Sequence, residues 1–287
     1  MASASARIFL VRHGETDWIV GGKHNSRTEV PLSKTGEREV DRIQQFLVGP
    51  DALIDPQNVA RVYCSPRCSA RRTVELLELG IHNHQHFYDR ESNSRETTGS
   101  KMRVETAEPN IQVTPCLQEW DYGDYEGLTL RDIHQLRQKQ AQEQERQEWN
   151  IWRDGCPGGS MSPKQVSDRL DSLIQEIKSF IEKSSTTWPS GQIEGARSQQ
   201  AQDIVCVGHG HVLAALALRW VGSSLMAGHM RLIFEPGGVA VLGYEPLFHI
   251  INTWHFTNLY NSSFEHDNPN HPAILVGRKP GKSDRTL

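Results

Sequence analysis

The chain has 287 residues, 37% of them hydrophobic and 23% charged, with a formal net charge of −4 and a pI near 6.4. That length suits one large domain or two small ones, and the composition is that of a folded chain rather than a disordered one. The acidic balance argues against a nucleic-acid partner, which would demand a basic excess.

Met1–Ala6 is small and uncharged, and the apolar run after it, Ile8–Val11, is too short for a signal peptide. The longest later run, Val212–Leu218, cannot span a bilayer. Cys64, Cys68, Cys116, Cys156 and Cys206 are odd in number, scattered and without paired metal spacing. They read as free thiols in a reducing compartment. The expectation is a cytoplasmic protein with no membrane partner, in which the Asn261-Ser-Ser glycosylation pattern has no meaning.

In chain order, Arg7–Arg12 reads as a buried strand. Ser33 caps a helix running to about Val48, with Val40, Ile43 and Leu47 on one face. Val59–Cys64 is a second strand. Ser65-Pro66 supplies an N-cap and first-turn proline for a helix continuing through Val74, Leu77 and Leu79. Ile81–Pro115 is polar and aperiodic, so its middle (about 82–112) reads as an inserted loop. Thr129 caps a helix carrying Leu130, Ile133 and Leu136. Ser162-Pro163 opens a longer one with Val166, Leu170, Leu173, Ile174, Ile177 and Ile181 at helical spacing. A second polar insertion covers about 184–202. Asp203–Gly208 is a third buried strand, followed by a helix from about Val212 to Val221. Val239–Tyr244 and Ala273–Val276 are further strand candidates, and the tail after Gly277 is loose.

Strands that alternate with helices predict a single α/β domain, a three-layer doubly wound and mostly parallel sheet. Ligands in such folds bind beyond the carboxyl ends of the strands. Three segments sit there: Arg12-His13-Gly14, Ser65-Pro66 and His209-Gly210-His211. The guanidinium of Arg12 can hold two phosphate oxygens. The imidazole of His13 can attack phosphorus, and Gly14 lets the backbone approach an anion. A lone histidine at a strand end is more often structural, but His209 lies between two glycines at a second strand end, which leaves room for a ligand. Glu119, beside Trp120 and Tyr122, can have a raised pKa and act as a general acid. A solvated acidic loop is the blander account of that segment.

Three motifs therefore stand in one order: Arg12-His-Gly-Glu-Thr16, Leu117-Gln-Glu-Trp-Asp-Tyr-Gly-Asp-Tyr-Glu-Gly127 and Gly208-His-Gly-His211. This pattern resembles the histidine phosphatase superfamily, also called phosphoglycerate-mutase-like. Pro31-Leu32-Ser33 with Gly36 and Glu37, Ser65-Pro66…Ala70…Thr73, and Trp149–Gly159 support it. The last two stretches are most similar to the fungal sedoheptulose-1,7-bisphosphatase branch, and the likeness runs from about residue 7 to 276 outside the insertions.

The resemblance implies a small phosphate ester as substrate, no metal or other cofactor, and a homo-oligomer by analogy with relatives. It makes His13 the nucleophile, Arg12 and His209 the stabilisers of the transferring phosphoryl group, and Glu119 the proton donor. Asn25, Ser26, Ser65, Ser69, Tyr122 and His211 would contact substrate. A phosphatase is expected; a catalytically weak binding or scaffold protein and a phosphomutase are the alternatives. The family's Ser-Pro-x-x-Arg-Ala becomes Ser65-Pro66-Arg67-Cys68-Ser69-Ala70, so Ser69 replaces a phosphate-binding arginine, with Arg72 one turn on as a substitute. Ala214 replaces another arginine of the close relatives, and Asn25-Ser26 stands where Thr-Gly is usual. All of these altered residues are expected to face the substrate. His82, His84 and His86 would share a face on a strand and could bind a metal, but in a polar insertion they are more often solvated. Trp149 and Trp152 are read as core, with a wall of the substrate cleft as the alternative, Gly237-Gly238 as a structural turn, and Arg153 as a weak candidate for substrate contact.

Overall fold

The computed structural model describes residues 6–50, 52–79, 110–140, 149–186, 203–227, 232–245 and 248–253. All belong to the compact unit Met1–Thr257. The strand expected at 273–276, the tail after 277, the Asn261 pattern and His82, His84 and His86 lie outside these residues.

The described strands are β1 (Ile8–Arg12), β2 (Val59–Cys64), β3 (Asn110–Val113), β4 (Asp203–Gly208), β5 (Val239–Glu245) and β6 (Phe248–Thr253). The helices are α1 (Asp17–Val20), α2 (Lys34–Leu47), α3 (Cys68–Leu76), α4 (Leu130–Gln140), α5 (Ile151–Asp154), α6 (Pro163–Thr186) and α7 (Gly210–Trp220). The sheet runs β3-β2-β4-β1-β5-β6. Its β3, β2, β4 and β1 pair in parallel, while β5 and β6 add an antiparallel edge.

The period of two along each strand builds a core on both sheet faces. Ile8 and Leu10 of β1 join Ile204 and Cys206 of β4 under α6 and α7. Phe9 and Val11 join Val205 and Val207 on the opposite face, under α2 and α3. This is the expected three-layer α/β architecture. Ser33 caps α2 through its side chain, which accepts from the Gly36 amide at 3.0 Å.

Several boundaries differ from the sequence reading. Residues 110–113, placed largely in the first insertion, form the edge strand β3; four alternating residues carry too little periodicity to be recognised. The strand β6 and the one-turn helices α1 and α5 are likewise additions, and α6 continues to Thr186, into the second insertion. The helix after β2 starts at Cys68 and ends at Leu76, and Ser65 does not cap it. Its N-cap residue is Arg67, without a side-chain cap bond, because the Ser65 hydroxyl is engaged by His209.

Register brings the three expected motifs to one edge of the sheet. Arg12 pairs with Gly208, and the His13 amide donates to the Gly208 carbonyl at 3.1 Å. On the other side of β4, Cys64 pairs with Val207, and the Ser65 amide donates to Val207 at 3.0 Å. His13, His209 and Ser65 therefore leave three neighbouring strands at the same level.

Candidate active site

Beyond these strand ends lies a cavity of about 300 Å³. Arg12, His13, Asn25, Glu119, Tyr122, His209 and His211 all line it. Thr16, Lys23, His24 and the apolar Ile19, Leu232 and Phe234 complete much of the wall.

His13 is buried at the end of β1. Its Nδ1 lies 2.8 Å from the Gly14 carbonyl oxygen. A carbonyl only accepts, so Nδ1 carries the proton and Nε2 keeps its lone pair. Burial, and then the charge of Arg12, lower the His13 pKa to about 3, so the ring is neutral at ordinary pH. The His13 and His209 rings meet edge to face, with centroids 4.9 Å apart.

Gly14 is required for a reason other than approach to an anion. A Cβ there would collide with the Gly36 carbonyl, so the loop after β1 packs backbone to backbone on the start of α2. Glu15 strengthens the junction: its amide donates to Glu39 at 2.9 Å, and its carboxylate accepts from Ser33 at 2.8 Å.

Arg12 donates from one terminal nitrogen to the Phe234 carbonyl. Its Nε is buried without a hydrogen-bond partner among the described residues. Gly210 permits this pose, since a Cβ there would lie 3.1 Å from the Arg12 Cζ. A desolvated guanidinium with an unused donor beside a neutral imidazole is an arrangement that an anion completes.

His209 is the N-cap residue of α7 and is buried. Its Nε2 is 2.8 Å from the Ser65 hydroxyl. Burial first, then the neighbouring His13, Arg12, Arg67 and Arg169, hold its pKa well below the usual histidine value. Tyr122 Oη lies 2.6 Å from His211 Nδ1. Burial raises the tyrosine pKa well above its usual value, and burial, His24 and Arg12 lower that of His211 to about 3. The phenol therefore donates to Nδ1, and the proton of His211 sits on Nε2. His24 stacks against His211 with centroids 6.3 Å apart, and Trp149 and Trp152 pack edge-on against His24 and His211. Both tryptophans belong to the core and also back the cleft.

Glu119 is buried and accepts three amide hydrogens: from Trp120 and Val212 at 2.9 Å on Oε1, and from His211 at 3.0 Å on Oε2. Burial raises its pKa against the opposing pull of these amides and of Arg12.

Ser26 does not line the cavity. Its hydroxyl donates to Glu126 at 2.7 Å and accepts from the Tyr122 amide at 3.2 Å. Glu126 also gathers the amides of Ser26, Arg27 and Thr28, clasping the loop that presents Lys23, His24 and Asn25. Ser69 is buried outside the cavity wall, its carbonyl accepting from Thr73 at 2.9 Å. Ala214 packs in the core, because α7 is buried nearly all round. Of the altered positions, only Asn25 lines the cavity. That corrects the expectation that all would face substrate. Arg72 pairs with Glu37 and Glu75 at 2.9 and 3.1 Å and does not reach back. Arg153 pairs with the adjacent Asp154.

Sequence reasoning gave no site role to Thr16, although it closes the first motif, and passed over Ile19 and the 232–234 segment, which carry no motif. It also passed over Arg67 and Arg169, whose charges lower the pKa of His209. Their signal in the sequence was only an arginine near a motif.

A mostly parallel sheet whose strand ends open on a cavity with a neutral imidazole, a second imidazole, an underused guanidinium and a buried carboxyl defines a protein built to hold an anion against a histidine. The chain belongs to the histidine phosphatase superfamily (branch 1), whose family model matches residues 8–96 and 95–187. It is 33% identical over 222 residues to sedoheptulose 1,7-bisphosphatase of Saccharomyces cerevisiae, covering 77% of this chain and 70% of that protein. It is 30% identical over 245 residues to an acid phosphatase of Mycobacterium tuberculosis, covering 85% and 90%. The solved structure of an open reading frame from Mycobacterium tuberculosis, 26% identical, matches with a TM-score of 0.60 over 87% of this chain and 97% of that one.

Proposed function

We propose that the protein is a phosphoric monoester hydrolase that takes a small phosphate ester, a sugar phosphate or bisphosphate among the candidates, through a phosphohistidine on His13. The carrying observation is the fixed tautomer of His13, with Nε2 unprotonated, in a cavity that Arg12 also lines with its Nε unused. Nε2 attacks phosphorus as the bond to the ester oxygen breaks, and the proton of Glu119 goes to that oxygen. Arg12 and His209 hold the phosphoryl oxygens through a loose transition state. Water then attacks the phosphohistidine, returning its proton to Glu119 and releasing inorganic phosphate. No metal or cofactor enters this route. Asn25, Tyr122 and His211 contact the leaving group, while Ser65 orients His209 and Ser26 secures the loop. The five free cysteines fit a cytoplasmic location, and we read the chain as a single domain of this family.

Ser69, lacking the cation expected at its position, favours one second reading: a weak catalyst kept for binding. The test is hydrolysis of p-nitrophenyl phosphate by wild type and by His13→Ala. Turnover that vanishes in the variant, with acid-labile radiolabel trapped only on the wild type, supports the enzyme. Equal rates for the two proteins across about pH 4 to 8 would overturn it. Transfer of the label to a second alcohol instead of water would indicate a mutase.

A further inference from the structure

We infer that Arg67 supplies the phosphate contact that relatives take from the arginine at the position of Ser69. The inference rests on the phosphatase reading and adds a residue to it.

The segment after β2 carries a neutral residue, Ser69, where the resemblance expects the cation. Ser69 is buried, and its position on α3 is occupied by a short neutral side chain. Arg72, one turn on, is held by two glutamates. Arg67 stands two residues before Ser69, at the N-cap of α3. Its amide donates to the Ser65 hydroxyl at 3.4 Å, and that hydroxyl meets His209 Nε2 at 2.8 Å. The arginine is thus linked through Ser65 to the imidazole that would hold the phosphoryl oxygens, while its guanidinium rests on Glu29 outside the cavity wall.

The state of its guanidinium points the same way. Nη1 donates to Glu29 at 3.0 Å and to the Arg27 carbonyl at 2.9 Å. The Nε is buried and has no hydrogen-bond partner among the described residues. Arg12, on the far side of His209, also has a buried, unused Nε, as do Arg61 and Arg169 elsewhere in the described residues. A desolvated donor left unmade is a cost that an anion at this position would remove. Glu29 also accepts the Cys68 amide at 2.8 Å, so a carboxylate already occupies the position an anion would take at Arg67. The pair is half exposed on the glutamate side, and such pairs exchange readily. In the ligand-bound state the guanidinium turns from Glu29 to the phosphoryl oxygens.

The test uses the full chain and two readouts: turnover of p-nitrophenyl phosphate, and binding of inorganic phosphate by calorimetry. Arg67→Ala is expected to lose about 100-fold in kcat/KM and at least about tenfold in phosphate affinity. Adding Ser69→Arg to that variant should recover at least about tenfold of the loss, as should guanidinium ion supplied in solution to Arg67→Ala alone. Glu29→Gln, which cuts the tether but keeps the cation, should stay within about threefold of wild type or gain affinity. The inference is overturned if Arg67→Ala binds phosphate like wild type, or if Glu29→Gln falls as far as Arg67→Ala, which would make the pair a loop tether. A wild type without His13-dependent turnover would sink the phosphatase reading, while the phosphate-binding arm would still decide the role of Arg67.

Discussion

Two segments flank His209, and they are built on different terms. At the end of β1, Arg12 and His13 are fixed by sheet register, by the Gly14–Gly36 backbone contact and by a carbonyl that sets the tautomer of the ring. At the start of α3, the backbone is just as well placed, with Ser65 hydrogen-bonded to β4 and to His209, but the position of the phosphate cation holds Ser69. The contrast separates two things a site needs. Geometry comes from strands and close backbone packing, which a substitution disturbs at high cost. Charge comes from side-chain tips, which a neighbour such as Arg67 can replace. A site can therefore drift in its cations while its scaffold stays in register.

The largest expected effect falls on Glu119, which shares the cavity with the end of β1. Glu119→Gln keeps the shape but cannot give a proton, so hydrolysis of an alkyl phosphate should fall roughly 10²–10³-fold. An aryl phosphate, whose leaving group needs little protonation, should lose only about tenfold. Equal losses on both, measured as kcat/KM, would mean that the carboxyl acts by position alone.

Next comes the packing that fixes His13. Gly14→Ala places a methyl group against the Gly36 carbonyl, and should cost more than about 3 kcal/mol in a urea unfolding titration. Ser69→Gly on the other segment should cost no more than about 1 kcal/mol, since it creates no collision.

A pH series sharpens the same contrast. The pKa values of His13 and His211 lie at about 3 in the fold, against about 6.5 in the unfolded chain. Between those values the unfolded chain binds more protons, so stability rises with pH there and is lost as pH falls below about 6.5. Each histidine contributes a slope of about 1.4 kcal/mol per pH unit. His209, also held well below its usual value, adds a slope of the same sign, and His211→Asn should remove one of these three from the urea midpoint measured across that window. A wild-type stability flat from neutrality to pH 4.5 or so would contradict the burial of these rings.

The smallest effect is a gain. Ser69→Arg in the wild-type background should raise kcat/KM by about two- to fivefold, less than in Arg67→Ala, because the vacancy is already partly filled. A gain as large in both backgrounds would separate the two positions.

Much of the scaffold could be read from the chain. Ile8–Val11 and Asp203–Gly208 are short apolar runs, each followed within two residues by a histidine, and runs of that length with β-branched residues fit buried strands. His13, Glu119 and His209 stand at those ends or in an aromatic-rich segment, and the fold gathers them around one cavity. The edge strands β3 and β6 were missed because four to six mixed residues carry no decisive period. Ser65 was read as a cap because the local Ser-Pro pattern demands one; its partner, His209, is 144 residues away, and no local rule sees it. Ala214 was assigned to the pocket by alignment of motifs, yet α7 turns that position into the core. Side-chain roles that depend on long-range partners, as for Ser26, Arg67 and Arg72, emerge only once the segments are assembled.

The carboxyl of Glu119 is also the cap of α7, accepting the amide hydrogens of His211 and Val212. A protonated carboxyl is a poorer acceptor, so loading and discharging this group alternately slackens and tightens the first turn of the helix that begins at His209 and carries His211. The backbone of that turn becomes a reporter built into the machine. The nitrogen chemical shifts and exchange rates of the His211 and Val212 amides should follow the protonation of a side chain nearly a hundred residues earlier, and would time its proton through the reaction cycle without any label on the substrate.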